Sequence, residues 1–321
     1  MFVLESIVGG GPVATSQEIS RERDKKSAVS YGGQALIEGV MMRGPGRVAI
    51  AIRRRDGQIA VRVDEYEAVQ NRWPVLRLPI VRGVVALIES LVVGINALMY
   101  SANQTLDEDE QLTRGQMTVT VVVALVVALA VFAVFPTWVV GLVRGRLGGA
   151  MAANIVEGVI RTAILLGYLW AISLMPDVRR LLEYHGAEHK SIHTYEDGAS
   201  LTVAEARSRS TRHPRCGTSF LLVVALVGII IFAFFGWPAL WLRIVLRLLL
   251  LPVVAGVSYE FIRLAGRSRS PVVRWASWPG LALQGLTTRE PDDEELEVGL
   301  AALAALLEDK AALEWTGAEV I

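Results

Sequence analysis

Long runs of apolar residues dominate the chain from about its first third onwards. Four of these runs are long enough to cross about 30 Å of hydrocarbon as helices. Lipid offers no hydrogen-bond partner to an open strand edge, so a single apolar segment of this length is expected to be helical even where valine is abundant. The pattern predicts an α-helical integral membrane protein with four transmembrane helices, at residues 117–143, 155–175, 218–235 and 238–257.

Residues 78–100 form a fifth apolar run, but this run contains Arg82, Glu89 and Asn96. Each ionised side chain in the middle of a membrane costs several kcal/mol, which argues against a helix exposed to lipid. We therefore predict an interfacial or re-entrant helix, or one buried in the bundle, with Arg82 and Glu89 paired. A fifth transmembrane span is the alternative.

Charged residues also occur inside two of the predicted spans. Glu157 and Arg161 are four residues apart, a spacing at which opposite charges pair on one helix face, and we expect a structural ion pair there. Arg243 and Arg247 have the same spacing, and we expect their long side chains to extend to the level of the lipid phosphates.

Lysine and arginine are distributed unevenly among the connecting segments. The 176–217 loop holds seven of them and more follow after the fourth span, whereas the loop between the first two spans holds only Arg144 and Arg146. Basic loops favour the cytoplasmic side. The asymmetry predicts a multi-pass protein of the cell (plasma) membrane, with both termini and the 176–217 loop in the cytoplasm.

The part of the chain before the apolar runs is predicted to contain a small folded unit. Residues 1–28 lack a cleavable signal pattern, and we expect a disordered cytosolic tail. Within the cytosolic segment 29–77, a glycine-rich stretch precedes two alternating, β-branched runs. These runs flank Asp56-Gly57, a pair typical of tight turns, and the pattern predicts a β-hairpin.

The cytosolic C-terminal segment, 258–321, is predicted to contain one soluble helix. Pro291–Leu313 combines acidic residues near its start with leucines at helical spacing. Thr288 is the candidate residue for capping this helix.

Composition narrows the classes of function. The chain has 321 residues, of which 53% are hydrophobic, and a mean hydropathy of +0.44. Its 32 basic and 32 acidic residues cancel, so the overall charge gives no argument for binding nucleic acid. The partners expected are membrane lipids, with anionic headgroups near the arginine-rich loops; a homo-oligomer is left open. Cys216 is the single cysteine, so an intrachain disulfide is excluded.

All four histidines lie between residues 185 and 213. In a helix, His185 and His189 are one turn apart and can share one zinc-like ion, whereas His185 and His193 are about 12 Å apart along the axis. Either two ions bind, or His193 supports the other ligands, or the helix ends early. The alternative to metal binding is that the histidines belong to an ordinary amphipathic helix beside the membrane and have only a structural role.

Further candidate metal ligands are His213, Cys216 and Glu260, each next to a predicted span. The string His185-x-x-Glu188-His189 also fits the inverted zincin pattern, in which the glutamate acts as general base. A divalent metal, with zinc first, is the predicted cofactor. The rest of the chain does not suggest the inverted zincin fold, so a peptidase is a minor alternative.

Five strings in the chain resemble those of the YqhQ-like bacterial membrane proteins, also called domain of unknown function 1385. The resemblance spans roughly residues 30–300 and implies a multi-span architecture and a metal-dependent enzyme, without implying a substrate. The matching strings are Gly32–Pro45, Tyr184–Lys190, His213–Phe220, Ser258–Arg263 and Leu286–Asp292.

These observations favour a metal-dependent, hydrolase-like membrane enzyme whose site faces the cytoplasm. Glu188 and Glu38 are the candidate catalytic carboxylates, and Arg43 is the candidate for binding an anionic group of the substrate, such as a phosphate. A site at headgroup depth suits a lipid-associated substrate. The alternative is a non-enzymatic transport, assembly or scaffold protein that binds a structural or sensed metal.

Overall fold

The computed structural model describes residues 31–105, 113–266, 268 and 270–320. The predicted tail, 1–28, lies outside these residues. The described chain begins with four strands and continues with helices, and its last strand returns to the first four. The strands are β1 (Gly32–Leu36), β2 (Gly39–Gly44), β3 (Arg47–Arg53), β4 (Ile59–Glu65) and β5 (Glu319–Val320).

The strands form one sheet in the order β1-β2-β3-β4-β5, antiparallel except for the parallel pair β4 and β5. The predicted hairpin is present as β3 and β4, and Gly57 in its turn has a φ of +85°, which glycine adopts without strain. The glycine-rich stretch forms β1 and β2. Glu38 lies in the turn between them, with a φ of +51°.

Eleven α-helices are present in the described part of the chain. They are α1 (Val81–Thr105), α2 (Arg114–Leu129), α3 (Phe135–Val143), α4 (Ala150–Ile172), α5 (Pro176–Glu196), α6 (Val203–Arg207), α7 (Gly217–Ala233), α8 (Leu240–Ala265), α9 (Pro271–Thr287), α10 (Asp293–Leu307) and α11 (Lys310–Thr316). A π-helical turn, Ala130–Val134, joins α2 and α3 into one continuous stretch.

Four helical stretches are long and apolar enough to cross a membrane: Val81–Thr105, Thr118–Arg146, Ala150–Ile172 and Leu240–Ala265. The expectation of several apolar helices of membrane-spanning length is therefore confirmed. The set differs from the predicted one, because α1 is included and the predicted span 218–235 forms α7, an apolar helix of 17 residues.

Helix α1 packs on one face of the sheet through its C-terminal half and against α8 through its N-terminal half. Gly94 in its middle approaches the side chain of Gln34 in β1, and Ala97 joins the cluster of sheet side chains on that face. At its end, the Thr105 carbonyl accepts a hydrogen bond from Arg55 Nε at 2.9 Å. Its opposite face exposes apolar side chains, among them Ile88, Leu91 and Val92. The helix thus has one packed face and one exposed apolar face.

The predicted pairing of Arg82 with Glu89 is wrong. Arg82 instead forms an ion pair with Glu260 near the end of α8. Glu89 accepts a hydrogen bond from the Val69 backbone N–H at 2.5 Å and lies 3.7 Å from Arg43. The two side chains are seven residues apart on α1, and each meets a different neighbour on the packed side of the helix.

The other face of the sheet packs against α5 and α10. Alternating residues of β2 divide between the two faces: Val40 and Met42 join the larger core with Tyr184 and Leu296, whereas Met41 points towards α1. Helix α10 is the hydrophobic centre of this unit, with most of its residues buried.

The C-terminal helix differs from the prediction in its start and its length. Asp292 caps α10, and Glu295 completes a reciprocal capping box with it. Thr288 instead ends α9, where its hydroxyl donates to the Gln284 carbonyl at 2.8 Å. The predicted single helix is divided in two, because Glu308 adopts a left-handed conformation between α10 and α11.

The segment 176–217, predicted to be a loop, is largely helical. Pro176 at the first helical position and Asp177 in the first turn favour the start of α5. Helix α5 ends at Glu196, shortly before Gly198 at a φ of +71°. Because α5 packs on β1 and α10, its histidines lie between the sheet unit and the first turn of α7.

Candidate metal centre

Helix α5 is unbroken across all three of its histidines, and this divides them between two groups of potential metal ligands. The first group, which we call the metal centre, consists of His185, His189 and Cys216. The second consists of His193, Glu196 and His213. In each group, one ligand atom per residue lies within 4.8 Å of the others. An early end of the helix, one of the predicted alternatives, does not occur.

Backbone carbonyls orient both histidines of the metal centre. His185 Nδ1 lies 2.6 Å from the Thr287 carbonyl oxygen, and His189 Nδ1 lies 2.5 Å from that of Thr211. A carbonyl only accepts, so both Nδ1 atoms carry the proton and both Nε2 atoms keep their lone pair. This is the usual arrangement of histidines that bind metals, in which the outer hydrogen bond fixes the ring and its tautomer.

Cys216 supplies the sulfur of the metal centre. Its Sγ lies 3.3 Å from His185 Nε2 and 3.1 Å from the Thr218 hydroxyl, and it accepts from the Thr218 backbone N–H at 3.4 Å. The cysteine is buried and caps the N-terminus of α7. A thiolate is stabilised at the positive end of a helix, so this location suits a metal-binding cysteine.

Glu188 lies beside this centre on α5 and is buried. Burial raises the pKa of its carboxyl group, which the nearby His185 and the Gly33 backbone N–H partly oppose. Its Oε2 is buried and has no hydrogen-bond partner among the described residues. Such an oxygen is rare in native proteins and marks a position where a further ligand or proton is expected.

The second group is already satisfied by its own hydrogen bonds. His193 Nε2 donates to the Arg212 carbonyl at 2.9 Å, and His213 Nε2 faces Glu196 Oε2 at 3.4 Å while its Nδ1 accepts from the Arg215 N–H at 3.3 Å. Arg215 also pairs with Glu196. Burial lowers the pKa of His213 to about 4, although Glu196 opposes this shift.

Residues 78–309 match a family described as "Protein of unknown function (DUF1385)". This chain belongs to that family. The "Uncharacterized protein YqhQ" of Bacillus subtilis (strain 168) is 34% identical over 297 residues, which cover 87% of this chain and 92% of that protein. No solved structure matches the chain. The predicted family is confirmed, and neither description names a reaction or a metal.

In this DUF1385 chain, three predicted site residues lie apart from both groups. Glu260 pairs with Arg82, and therefore leaves the pool of ligands. Glu38 binds Arg180 on α5 through both carboxylate oxygens, at 2.5 and 2.6 Å, and accepts from Tyr184 Oη at 3.1 Å. It fastens the β1–β2 turn to the histidine helix. Arg43 donates to Tyr66 Oη at 2.7 Å.

Arg43 lines a cavity of about 510 Å³ beside the sheet. Its walls also include Ser90 of α1, Tyr259 of α8 and Arg215, which pairs with Glu196 of the second group. Gly33 also lines it, and the backbone N–H of Gly33 bonds to Glu188. The cavity therefore lies next to the residues that surround the buried carboxylate, between the sheet and two apolar helices.

Three residues that hold the centre were not predicted. Gln284, fully buried, binds both the backbone N–H and the carbonyl of His213 at 2.8 Å and so fixes the segment that leads to Cys216. Thr287 and Thr211 bind the histidines through their backbone carbonyls. Every residue has such a carbonyl, so the sequence does not reveal which ones are used. A fourth residue that was not predicted, Glu196 of the second group, could have been found, because it lies three residues after His193 on the same helix face.

Proposed function

We propose that this protein is a metal-dependent, hydrolase-type membrane enzyme in which His185, His189 and Cys216 hold a divalent metal ion. The observation that carries this proposal is the outer hydrogen bonding of the two imidazoles. Both Nδ1 atoms are bound to backbone carbonyls, which leaves both Nε2 atoms available as ligands, and the Nε2 atom of His185 faces the Cys216 thiol at 3.3 Å. An accidental cluster of histidines has no reason to share one tautomer.

The chemistry of these donors fits zinc. Two imidazole nitrogens and one thiolate suit an ion of intermediate softness, and sites with three protein ligands keep a position open for water or substrate. A zinc ion at this position supplies Lewis acidity at neutral pH. The second group fits a metal less well, because both nitrogens of His213 already have partners.

Glu188 is the residue to which we assign proton transfer. One of its oxygens is oriented by the Gly33 N–H, while Oε2 is without a partner in the described part of the chain. A carboxylate held in this way can accept the proton of an attacking water and return it to the leaving group. Glu38, which binds Arg180 and Tyr184, is a positioning residue in this proposal.

The cavity beside Glu188 supports an anionic substrate associated with the membrane. It brings Arg43 and Arg215 to one space, and guanidinium groups match phosphate and carboxylate in shape and charge. Its remaining walls include α1 and α8, two of the long apolar helices. A lipid-linked substrate could place its headgroup there while its chains remain among the helices.

The contacts of the helices also support the predicted topology. The C-terminal half of α1 lies against the sheet, which suits an interfacial helix, and α7 continues into Phe234 and Phe235, which extend its apolar length. The crossing segments would then be α2 with α3, α4, α7 and α8. This arrangement keeps the sheet, α5 and α10 together on one side, the cytoplasmic side by the charge rule.

The metal is tested by elemental analysis of purified protein. We expect wild type to carry one zinc ion and His189→Ala to lose it. His193→Ala is the matched control, because it removes an imidazole one turn further along α5 that belongs to the other group, and it should retain zinc. Equal metal content in wild type and His189→Ala contradicts the proposal.

The hydrolase mechanism is tested by incubating protein and a bacterial lipid extract in heavy-oxygen water. Hydrolysis must place the heavy isotope in a product, and mass spectrometry detects that label whichever lipid in the extract is cleaved. Glu188→Gln preserves the size of the side chain and should keep the zinc but yield no labelled product. Zinc without labelled product from wild type would favour the non-enzymatic alternative.

A further inference from the structure

A second cluster of charged residues lies at the opposite end of the helix bundle from the metal centre. It is formed where α3 ends, α4 begins and α7 turns into α8. We call it the arginine cluster. It consists of Arg144, Arg161, Arg243, Arg247, Glu157 and Trp237.

Glu157, only 1% exposed, is the single acid of the cluster, and two arginines already occupy it. Arg161 Nη2 donates to its Oε1 at 2.8 Å, and Arg247 pairs with the same carboxylate. Thr137 also donates to Glu157, at 2.7 Å. The predicted pair of Glu157 and Arg161 is thus present, but Arg247 does not extend outward to the lipid phosphates as expected.

Arg243 is left without an acid. It is 7% exposed, and its Nε and Nη1 are buried with no hydrogen-bond partner among the described residues. Its guanidinium carbon lies 3.9 Å from the centre of the Trp237 ring. The guanidinium carbon of Arg144 lies 5.7 Å from the centre of the same ring. The charged groups acting on Arg243 are Glu157, Arg247 and Arg144, so two of its three charged neighbours repel it.

Four arginines and one glutamate give the cluster a formal charge of +3. An unpaired charge buried among apolar helices is strongly unfavourable, and proteins keep such groups where they serve a ligand. The two unpartnered donors on Arg243 form part of a planar fork that matches the oxygens of a phosphate group. The excess positive charge and the two unpartnered donors therefore favour an anionic ligand.

The surroundings indicate the depth at which that anion would bind. Exposed aromatic side chains surround this end of the bundle: Trp138, Phe234, Phe235 and Trp241. Aromatic residues gather at the boundary between hydrocarbon and headgroups. The unpartnered donors of Arg243 thus lie near the level of lipid phosphates, on the side opposite the proposed zinc site.

We infer that the arginine cluster is a binding site for a phosphate group, with Arg243 as its principal ligand. The phosphate belongs either to the headgroup of an anionic lipid or to a free phosphate ion. This inference is independent of the proposed enzyme, because its residues are not shared with the metal centre.

The test measures thermal unfolding of the full chain, purified in an uncharged maltoside detergent that contains no phosphate. The added probes are phosphatidylglycerol, inorganic phosphate, and chloride at matched ionic strength. We expect phosphatidylglycerol or phosphate to raise the unfolding temperature of wild type more than chloride does. A response to phosphatidylglycerol alone identifies the lipid as the source, and a response to inorganic phosphate identifies the free ion.

Arg243→Gln should abolish this rise, while Arg146→Gln should retain it. The control removes the same charge from an exposed residue close in sequence to Arg144. Should Arg243→Gln fail to fold, Arg243→Lys is the second variant, because it keeps the charge but not the planar guanidinium. It should bind phosphate about tenfold more weakly than wild type does. A wild type that responds only as it does to chloride, or an Arg243 variant that responds like wild type, overturns the inference.

Discussion

The metal centre and the arginine cluster differ in the charge of the ligand that each one suits. At the metal centre, two imidazoles and a thiol lie close together, which suits a cation. At the arginine cluster, four positive side chains gather around one carboxylate, which suits an anion. The apolar helices between them keep the two kinds of charge at opposite ends of the bundle.

The two sites also differ in how they are held. Backbone carbonyls of Thr211 and Thr287 fix the histidines, so the geometry of the metal centre depends on how the chain segments pack against α5. In the arginine cluster, by contrast, one side chain, that of Glu157, pairs with both Arg161 and Arg247. Loss of one side chain should therefore damage the arginine cluster more than the metal centre.

The largest expected effect is that of Glu157→Gln. It would leave Arg161 and Arg247 buried without their acid, and breaking a buried ion pair in this way costs about 3–5 kcal/mol of folding stability. Thermal unfolding in detergent measures the loss. Glu183→Gln is the control, because Glu183 pairs with the exposed Arg179 on α5 and should contribute at most about 0.5 kcal/mol. Similar losses in both variants would show that the cluster does not depend on Glu157.

A smaller effect is expected when the backbone contact at α5 is disturbed by Gly186→Ala. A Cβ at this position would lie 2.0 Å from the Arg289 carbonyl oxygen, so the segment that carries Thr287 must move away from His185. We expect a loss of about 1–3 kcal/mol from overpacking and zinc binding about tenfold weaker. Unfolding and zinc titration check the two effects.

Gly167→Ala is the control for that substitution. Gly167 also lies inside a helix, but a Cβ there meets no atom within 4 Å. This variant should therefore bind zinc as wild type does. Zinc binding that is equally tight in Gly186→Ala would show that the carbonyl of Thr287 does not position His185.

The smallest expected effect is a dependence of stability on pH at the sheet end of the molecule. Burial raises the pKa of Glu295 from 4.5 to about 7. The folded protein therefore holds this proton more tightly than the unfolded chain. The contribution of Glu295 to stability is therefore greatest below pH 4.5 and falls as the pH rises towards 7, by roughly 1–3 kcal/mol.

Glu295→Gln should remove this contribution, because the amide keeps the hydrogen bond from the Asp292 N–H without a titrating proton. The difference between wild type and variant, followed by thermal unfolding across that pH range, should favour the variant increasingly as pH rises. A constant difference would show that Glu295 does not titrate in this range. Zinc content should be the same in both.

Local sequence signals predicted the elements well where one strong feature determined them. The apolar runs produced long helices, and Asp56-Gly57 produced the turn between β3 and β4, because these signals act within a few residues. The start of α10 was predicted wrongly, because two residues close in sequence carry the same local capping signal. Thr288 and Asp292 are both good caps, and only the end of α9 decides between them.

The candidate site was predicted only in part. The four-residue spacing of His185 and His189 was sufficient to place both on one side of a helix, and the structure brings Cys216 to them. Nothing local indicated that Glu260 would meet Arg82, or that Arg243 would turn towards Trp237. These partners are far apart in the chain, so their pairing depends on how whole helices pack.

By itself, the sequence determined that this is a mostly helical protein with apolar segments long enough to cross a membrane, and that its histidines gather in one region. Those properties follow from hydrophobic length and from spacing along the chain. Only the tertiary structure decided which histidines share a site, which backbone carbonyls fix their tautomers, and that α1 lies against the sheet. The physical reason is that each of these depends on packing between segments that are distant in the sequence.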